Sequence, residues 1–232
     1  MDRTLPAVKP RRRYDSERRR QEAMRTRASM VDAAEQLFLG RGYARTTIAS
    51  IANAAHVSVE TVYKAFSGKA GLVRAIWDRG LAGSGPIPAW QRSDDMSSVE
   101  PDPRKVIWNW GVLSTEVAPR AVPILLLVRT AAATDPEMAA LLEETNQARL
   151  ARMAHNARQL LGRGELREGV TIEQARDVMF AYSSPELYEL LVLRRGWPLE
   201  HYGRFVTQGL AAALLPHVGV AGEAGRASAV DS

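Results

Sequence analysis

Between Thr46 and Phe66 the chain sets polar, hydrogen-bonding side chains on a small apolar scaffold. Thr47 is an N-cap residue type placed ahead of Ile48, Ile51 and Ala52, which fall at i, i+3 and i+4 and predict a short helix to about Ala55. Val57 can plug a corner, and Ser58 can cap a second helix from Val59 to Phe66. There Val62 and Phe66 share the inward face, which leaves Glu60, Thr61, Tyr63 and Lys64 largely outside. Two anchors under a polar outer face suit insertion into the major groove of duplex DNA. Glu60 can accept from cytosine N4, Lys64 can donate to guanine O6 and N7, and Val59 can touch a thymine methyl; Thr61 also lies within reach of base edges. Thr61, Tyr63 and, one helix on, Lys69 are types that hold phosphates. Thr47 presents the N-terminus of its helix to another phosphate, and Ser58 completes the candidate set. Any surface helical hairpin shows caps and stripes, and Tyr63 could pack, although its outward face favours contact, so the charge around this stretch has to decide.

That charge is uneven. Residues 1–74 hold 15 Lys+Arg against 7 Asp+Glu, or +8, while residues 75–232 hold 16 against 19, or −3. A basic front on a mildly acidic remainder suggests a polyanion-binding segment joined to something that does other work. Its extreme end, residues 1–21, reads as a flexible basic arm containing Arg11, Arg12 and Arg13 and broken by Pro6 and Pro10. Such an arm would contact phosphates or enter the minor groove, or be a solvated tail. It lacks the apolar face of a membrane-surface helix. No apolar segment follows its arginines, and Ala121 to Val128 is too short to span a bilayer, so neither a secretory signal nor a membrane is expected. With no cysteine there is no disulfide framework, and the cytoplasm is the natural location.

The pattern throughout is helical, and the predicted fold is all-α. A first helix runs from about Glu22 to Gly40, with Met30, Ala33, Ala34, Leu37 and Phe38 at helical spacing. It completes a three-helix domain over residues 22–68, and residues 69–215 make a second helical domain. A fourth helix starts at Lys69 and runs to about Leu81, followed by a turn-rich loop of roughly 20 residues to Pro103 in which Trp90 packs. Helices then run from Pro103 to Ala118, Pro119 to Thr134, Pro136 to Leu161, Thr171 to Arg194 (split at Ser184-Pro185) and Leu199 to Leu215, about nine in all. Residues 216–232, rich in Gly, Ala and Ser, read as a disordered tail.

Ala33 to Phe38, Gly42-Tyr43, Thr46 to Ile48, Ile51-Ala52, Ala55, Val57-Ser58, Thr61 to Tyr63, Phe66 and Lys69 together resemble the N-terminal domain of TetR-family transcriptional repressors. His56 departs from that pattern, standing where the family usually has glycine in the turn, at some cost in stability. The run from Ser184 to Val192 with Arg195-Gly196-Trp197 resembles, more loosely, the last two helices of many members. The resemblance implies a bacterial regulator, most simply a repressor, in which those two helices pair with their copies as a four-helix dimer interface. Leu187, Leu190, Leu191, Phe205, Leu210 and Leu214 supply apolar surface for it, and a twofold dimer expects a palindromic operator. It also implies a cavity for a small-molecule effector, with Trp108, Trp110, Arg129, Met153, Met179 and Tyr182 as lining candidates (Met138 lies on the same helices) and the fourth helix as the element it tilts. The same side chains fill ordinary helical cores, and Arg129 could meet an anionic ligand group, pair with Glu116 or Glu143, or simply be exposed.

Catalysis finds no support. The four histidines, at 56, 155, 201 and 217, have no metal-ligand spacing, Ser183-Ser184 lacks a nucleophile elbow, and no phosphate loop or dinucleotide fingerprint is present. No cofactor is expected. The rival class is an architectural or partner-binding protein that keeps the basic arm and dimer but has no small effector and little sequence preference.

Overall fold

A computed structural model describes the backbone of residues 11–162 and 166–216, with side chains from residue 16 onward in those ranges. Residues 1–10 of the expected arm and 217–232 of the expected tail lie outside the described residues. Among the described residues there is no strand. The helices are α1 (Arg11–Arg41), α2 (Ile48–Ala54), α3 (Val59–Phe66), α4 (Lys69–Ala82), α5 (Ala89–Val99), α6 (Pro103–Ala132), α7 (Pro136–Leu161), α8 (Ile172–Tyr182), α9 (Pro185–Tyr188) and α10 (Leu199–Leu214), with a π-wound segment, Glu189–Arg194, directly after α9.

The chain forms two compact units, Met1–Gly80 with Pro123–Leu142, and Leu81–Val122 with Glu143–Ser232. Three helices, α4, α6 and α7, run through the division, so no single cut in the sequence separates the units. In the first unit α1 buries Met30, Val31, Ala33, Ala34 and Phe38, α2 buries Ile48, Ile51 and Ala52, and α3 buries Val62 and Phe66. Leu72, Val73, Ile76 and Trp77 of α4 are buried in the same unit. An Arg79 guanidinium on α4 grips Asp32 and Glu35 of α1 together. In the second unit α6 and α10 cross closely where glycines remove side-chain bulk. A Cβ on Gly111 would stand 2.0 Å from the Thr207 hydroxyl, and one on Gly203 would stand 2.6 Å from a Thr115 methyl.

Four expectations about the elements are corrected. The first helix starts at Arg11, eleven residues before Glu22, so residues 11–21 are helical and no loose arm begins there. Their arginine richness reads as disorder, yet an arginine-rich segment free of Pro and Gly is a good helix former. The expected long loop contains α5, whose buried face is Ala89, Ser93 and Ser97. Small side chains at i, i+4 and i+8 let a helix approach its neighbours without an apolar stripe to announce it. Trp90 is 52% exposed rather than packed. Finally α6 is one helix of 30 residues through Pro119 and Pro123. Packing of Val106, Ile107, Trp110, Ala121, Val122, Ile124 and Val128 along it offsets the lost backbone bonds. An 18-residue window of α6 has mean hydropathy 1.5, enough by length and composition to cross a bilayer, a test that core helices also pass. The break at Ser184 is as expected: Ser184 caps α9, its hydroxyl accepting from Leu187 N at 3.2 Å.

Candidate nucleic-acid interface

A reciprocal cap at Thr47, a single cap at Ser58 and the left-handed backbone of His56 set the geometry of α2 and its turn into α3. Thr47 Oγ1 accepts from Ser50 N at 3.1 Å while Ser50 Oγ accepts from Thr47 N at 3.2 Å. Thr46, directly before, is buried, its hydroxyl donating to Leu37 O at 3.1 Å and Gly42 O at 2.9 Å. At the other end of α2, His56 adopts φ 55°. His56 N donates to Asn53 O at 3.2 Å and Val57 N to Ala52 O at 3.0 Å. These two bonds are the Schellman pattern, which satisfies the last carbonyls of α2 and turns the chain into α3. Ser58 then caps α3, its Oγ accepting from Thr61 N at 3.2 Å.

Val62 is fully buried and Phe66 nearly so, so the face of α3 opposite them points outward. Glu60, Tyr63 and Lys64 are exposed on it, with Ser58 exposed at its start and Val59 and Thr61 half-buried. Thr47 is exposed at the start of α2. Glu60's carboxyl is held below its usual value by its own backbone N–H and by Ser58, so it is an ionised acceptor at neutral pH. Lys69 is differently placed from the free phosphate contact expected of it. Its ammonium donates to Tyr43 O at 2.6 Å and sits 3.8 Å from the centre of the Tyr43 ring. Burial pushes that ammonium's pKa down, against the pull of Asp135. Tyr43 in turn stacks on Phe38, with centroids 5.7 Å apart, and its hydroxyl donates to the Asp135 carboxylate. Burial, then Asp135, pushes that hydroxyl's pKa above its ordinary value.

Sequence reasoning passed over Arg27. Its Nη1 donates to Ala65 O at 2.8 Å and its guanidinium lies 4.1 Å from the centre of the Phe66 ring, capping the last turn of α3. The one available signal was the arginine repeat Arg13, Arg20, Arg27 at seven-residue spacing. The side chains of Arg11, Arg12 and Arg13 lie outside the described residues.

The effector-lining candidates are distributed over both units. Arg129 belongs to the first unit and has partners of its own; the other five belong to the second. Trp110 and Met179 are buried, and Trp110 Nε1 donates to Ser97 Oγ at 3.3 Å. Met153 and Tyr182 are half-buried, Tyr182 lying against Gly209 and Phe205. Trp108 is 50% exposed, because the inward phase of α6 at this level is set by Val106, Ile107 and Trp110. Among the candidate dimer residues Leu210 and Leu214 are buried within their own unit and have no surface to offer. Leu187, Leu191 and Phe205 are half-buried and Leu190 is 52% exposed.

Fold and site together define an all-α protein with a helix-turn-helix at its N-terminal end. Residues 30–76 match the model of the bacterial regulatory proteins of the tetR family. Over 61 residues, 26% of this chain and 29% of the relative, the sequence is 48% identical to the HTH-type transcriptional regulator TtgR of Pseudomonas putida. It is 39% identical over 62 residues, 27% of this chain and 33% of the relative, to YvkB of Bacillus subtilis (strain 168), an uncharacterized HTH-type transcriptional regulator. The match thus spans about a third or less of these curated relatives. Two solved structures share the fold over most of the chain. NalD of Pseudomonas aeruginosa, the secondary repressor of the MexAB-OprM multidrug efflux pump, superimposes with TM-score 0.67 at 21% identity, covering 85% of this chain and 100% of that one. SmeT in its triclosan complex gives TM-score 0.65 at 24% identity, covering 83% and 93%. Over residues 30–76 the chain is thus similar to the bacterial regulatory proteins of the tetR family, and both sequence relatives are named as HTH-type transcriptional regulators.

Proposed function

We propose that this protein is a homodimeric, sequence-specific DNA-binding regulator of the repressor kind, released from a palindromic operator by a small molecule held in its C-terminal helices. The observation that carries it is the outer face of α3. Glu60, Tyr63 and Lys64 stand exposed on a helix anchored by Val62 and Phe66 and fixed at both ends by the Ser58 and Arg27 caps. In this reading Glu60, Thr61 and Lys64 meet base edges, Val59 meets a thymine methyl, and Tyr63, Thr61 and Thr47 hold phosphates. Lys69 acts mainly by holding Tyr43, with its remaining donors directed to the backbone of the DNA. Dimerisation is assigned to the apolar side chains left uncovered in the second unit, Leu190 with Leu187, Leu191 and Phe205; Trp108 and Leu193 are exposed there as well. A small apolar effector is supported by the likeness to SmeT, solved with triclosan, and by Met153, Met179, Trp110 and Tyr182 in the second unit. Release requires only that the effector favour a spacing of the two α3 helices that the operator does not accept.

The test is selection of the purified protein on random duplex DNA at near-physiological salt. The expected result is an enriched palindrome, and Lys64→Ala then relaxes the preference at one position of each half-site by about 1–3 kcal/mol. Absence of enrichment, or a Lys64→Ala protein weakened equally on every sequence, overturns the assignment.

A further inference from the structure

We propose that the N-terminal turns of α1 form a rigid basic ridge that lies along the phosphates of duplex DNA flanking the operator half-site. The proposal rests on the assignment of α3 as the reading helix. Residues 11–41 are one continuous helix. Its phase is fixed by Arg27, which touches Ala65 and Phe66 and so marks the side of α1 turned toward α3. Seven residues are two turns within about 20°. Ala34 and Phe38, further along that side, are buried in the core of the first unit. Arg20, seven residues before Arg27 and about 10.5 Å up the axis, continues the same side beyond that core. Arg13 occupies the next register position. A helix side that is apolar inside the domain and arginine outside it is continuous with a polyanion-binding surface.

Charge supports the same partner. Residues 11–20 contain six arginines against Asp15 and Glu17. Arg18 is paired with Glu22 at 3.0 Å, half a turn away from Arg20, whereas Arg20 is exposed and makes no ion pair among the described residues. Tyr14 is the only large apolar residue in this stretch, so it offers no face to a lipid surface. Its helical form also selects where on DNA it can go. A helix about 10–12 Å across does not enter a minor groove about 6 Å wide, as an extended arm can. The ridge therefore meets phosphates, adding affinity and salt dependence without reading sequence.

The experiment uses the full chain and the palindrome obtained by selection, placed in two duplexes. One ends at the palindrome and the other continues by about one helical turn, roughly 10 base pairs, on each side. Binding is measured against salt for the unaltered protein, Arg20→Ala and Arg20→Lys, after circular dichroism shows equal helix content. Each phosphate contact contributes about 0.9 to the log–log salt slope, so Arg20→Ala in a dimer makes the slope shallower by about 2 on the long duplex and leaves it unchanged on the short one. Arg20→Lys keeps the original slope, since a phosphate accepts a point charge. An unchanged slope on the long duplex, an equal loss on both duplexes, or Arg20→Lys behaving like Arg20→Ala overturns the ridge while leaving the palindrome in place. Failure to select any palindrome removes the reading-helix assignment itself, and the ridge with it.

Discussion

Lys69 and Tyr43 are joined twice, by a 2.6 Å hydrogen bond from the ammonium to the Tyr43 carbonyl and by its seat 3.8 Å from the centre of the Tyr43 ring. The first residue of α4 is thereby fixed to the turn that precedes α2, so the reading face and α4 share one attachment. Lys69→Met keeps the stem but leaves the Tyr43 carbonyl with only its 3.3 Å bond from Thr46 N and the ring uncapped. A loss of about 1–3 kcal/mol in urea unfolding at pH 7 is expected. A change under about 0.5 kcal/mol, the range of an ordinary surface substitution, would show that the pair is incidental.

His56 carries a left-handed backbone at the turn between α2 and α3. Glycine adopts that conformation without the steric penalty of a Cβ, and its greater freedom in the unfolded chain offsets part of the gain. His56→Gly is expected to raise stability by about 0.5–1 kcal/mol, and the β-branched His56→Val to lower it by more than about 1 kcal/mol. Thermal unfolding of the two variants reads both signs. Equal midpoints for the pair would sink the claim that this residue is strained.

The α6–α10 crossing depends on Gly111. An added methyl there meets the Thr207 hydroxyl and, at 3.0 Å, the Gly203 carbonyl. Gly111→Ala should cost about 1–3 kcal/mol by overpacking. Thr207→Ala in the same chain removes the nearer obstacle, so the double variant recovers part of the loss. Strictly additive losses would mean that the helices part elsewhere.

Acid sensitivity in the second unit is centred on Glu116. Its Oε1 accepts from Arg92 Nη2 at 2.7 Å, from Ser84 N at 2.8 Å and from Ser84 Oγ at 3.0 Å. The Arg92 bond first, then the Ser84 N–H, holds its pKa down to about 2 from 4.5. A carboxylate depressed on folding stabilises above its unfolded pKa, and that contribution fades as pH falls from about 4.5 to about 2. With the side chain 22% exposed, on the order of 1–3 kcal/mol is at stake. Glu116→Gln should therefore be less stable than the unaltered chain at pH 7, with most of that gap closed at pH 2.5. Denaturant titrations at the two pH values check this, and a gap that persists undiminished in acid contradicts it.

What could be read from residues alone was the local chemistry. The Thr47 and Ser58 caps and the His56 turn are decided within four or five residues, and α2 and α3 follow from them. What could not be read depends on neighbours far along the chain. α5 hides behind Ala89, Ser93 and Ser97, whose burial makes sense only once another helix lies close. Trp108, Leu210 and Leu214 were placed by residue type, but which way each points is settled by the phase of α6 and by the packing around α10. Arg27 looked like one more charge in a basic stretch, since nothing in its surroundings names a carbonyl 38 residues away. Pro119 and Pro123 signal a break that tertiary packing overrides.

The Arg79 grip on Asp32 and Glu35 has a mechanical side. Its carboxylates are one helical turn apart on α1, and a planar guanidinium that takes both has to lie in one orientation. Exposed pairs of this kind add little to stability. A single-point attachment would leave α4 free to roll about its own axis. A two-pronged one resists torsion, so α4 can shift along α1 only by letting go of both carboxylates together. Lysine in its place would keep the charge and lose the wrench.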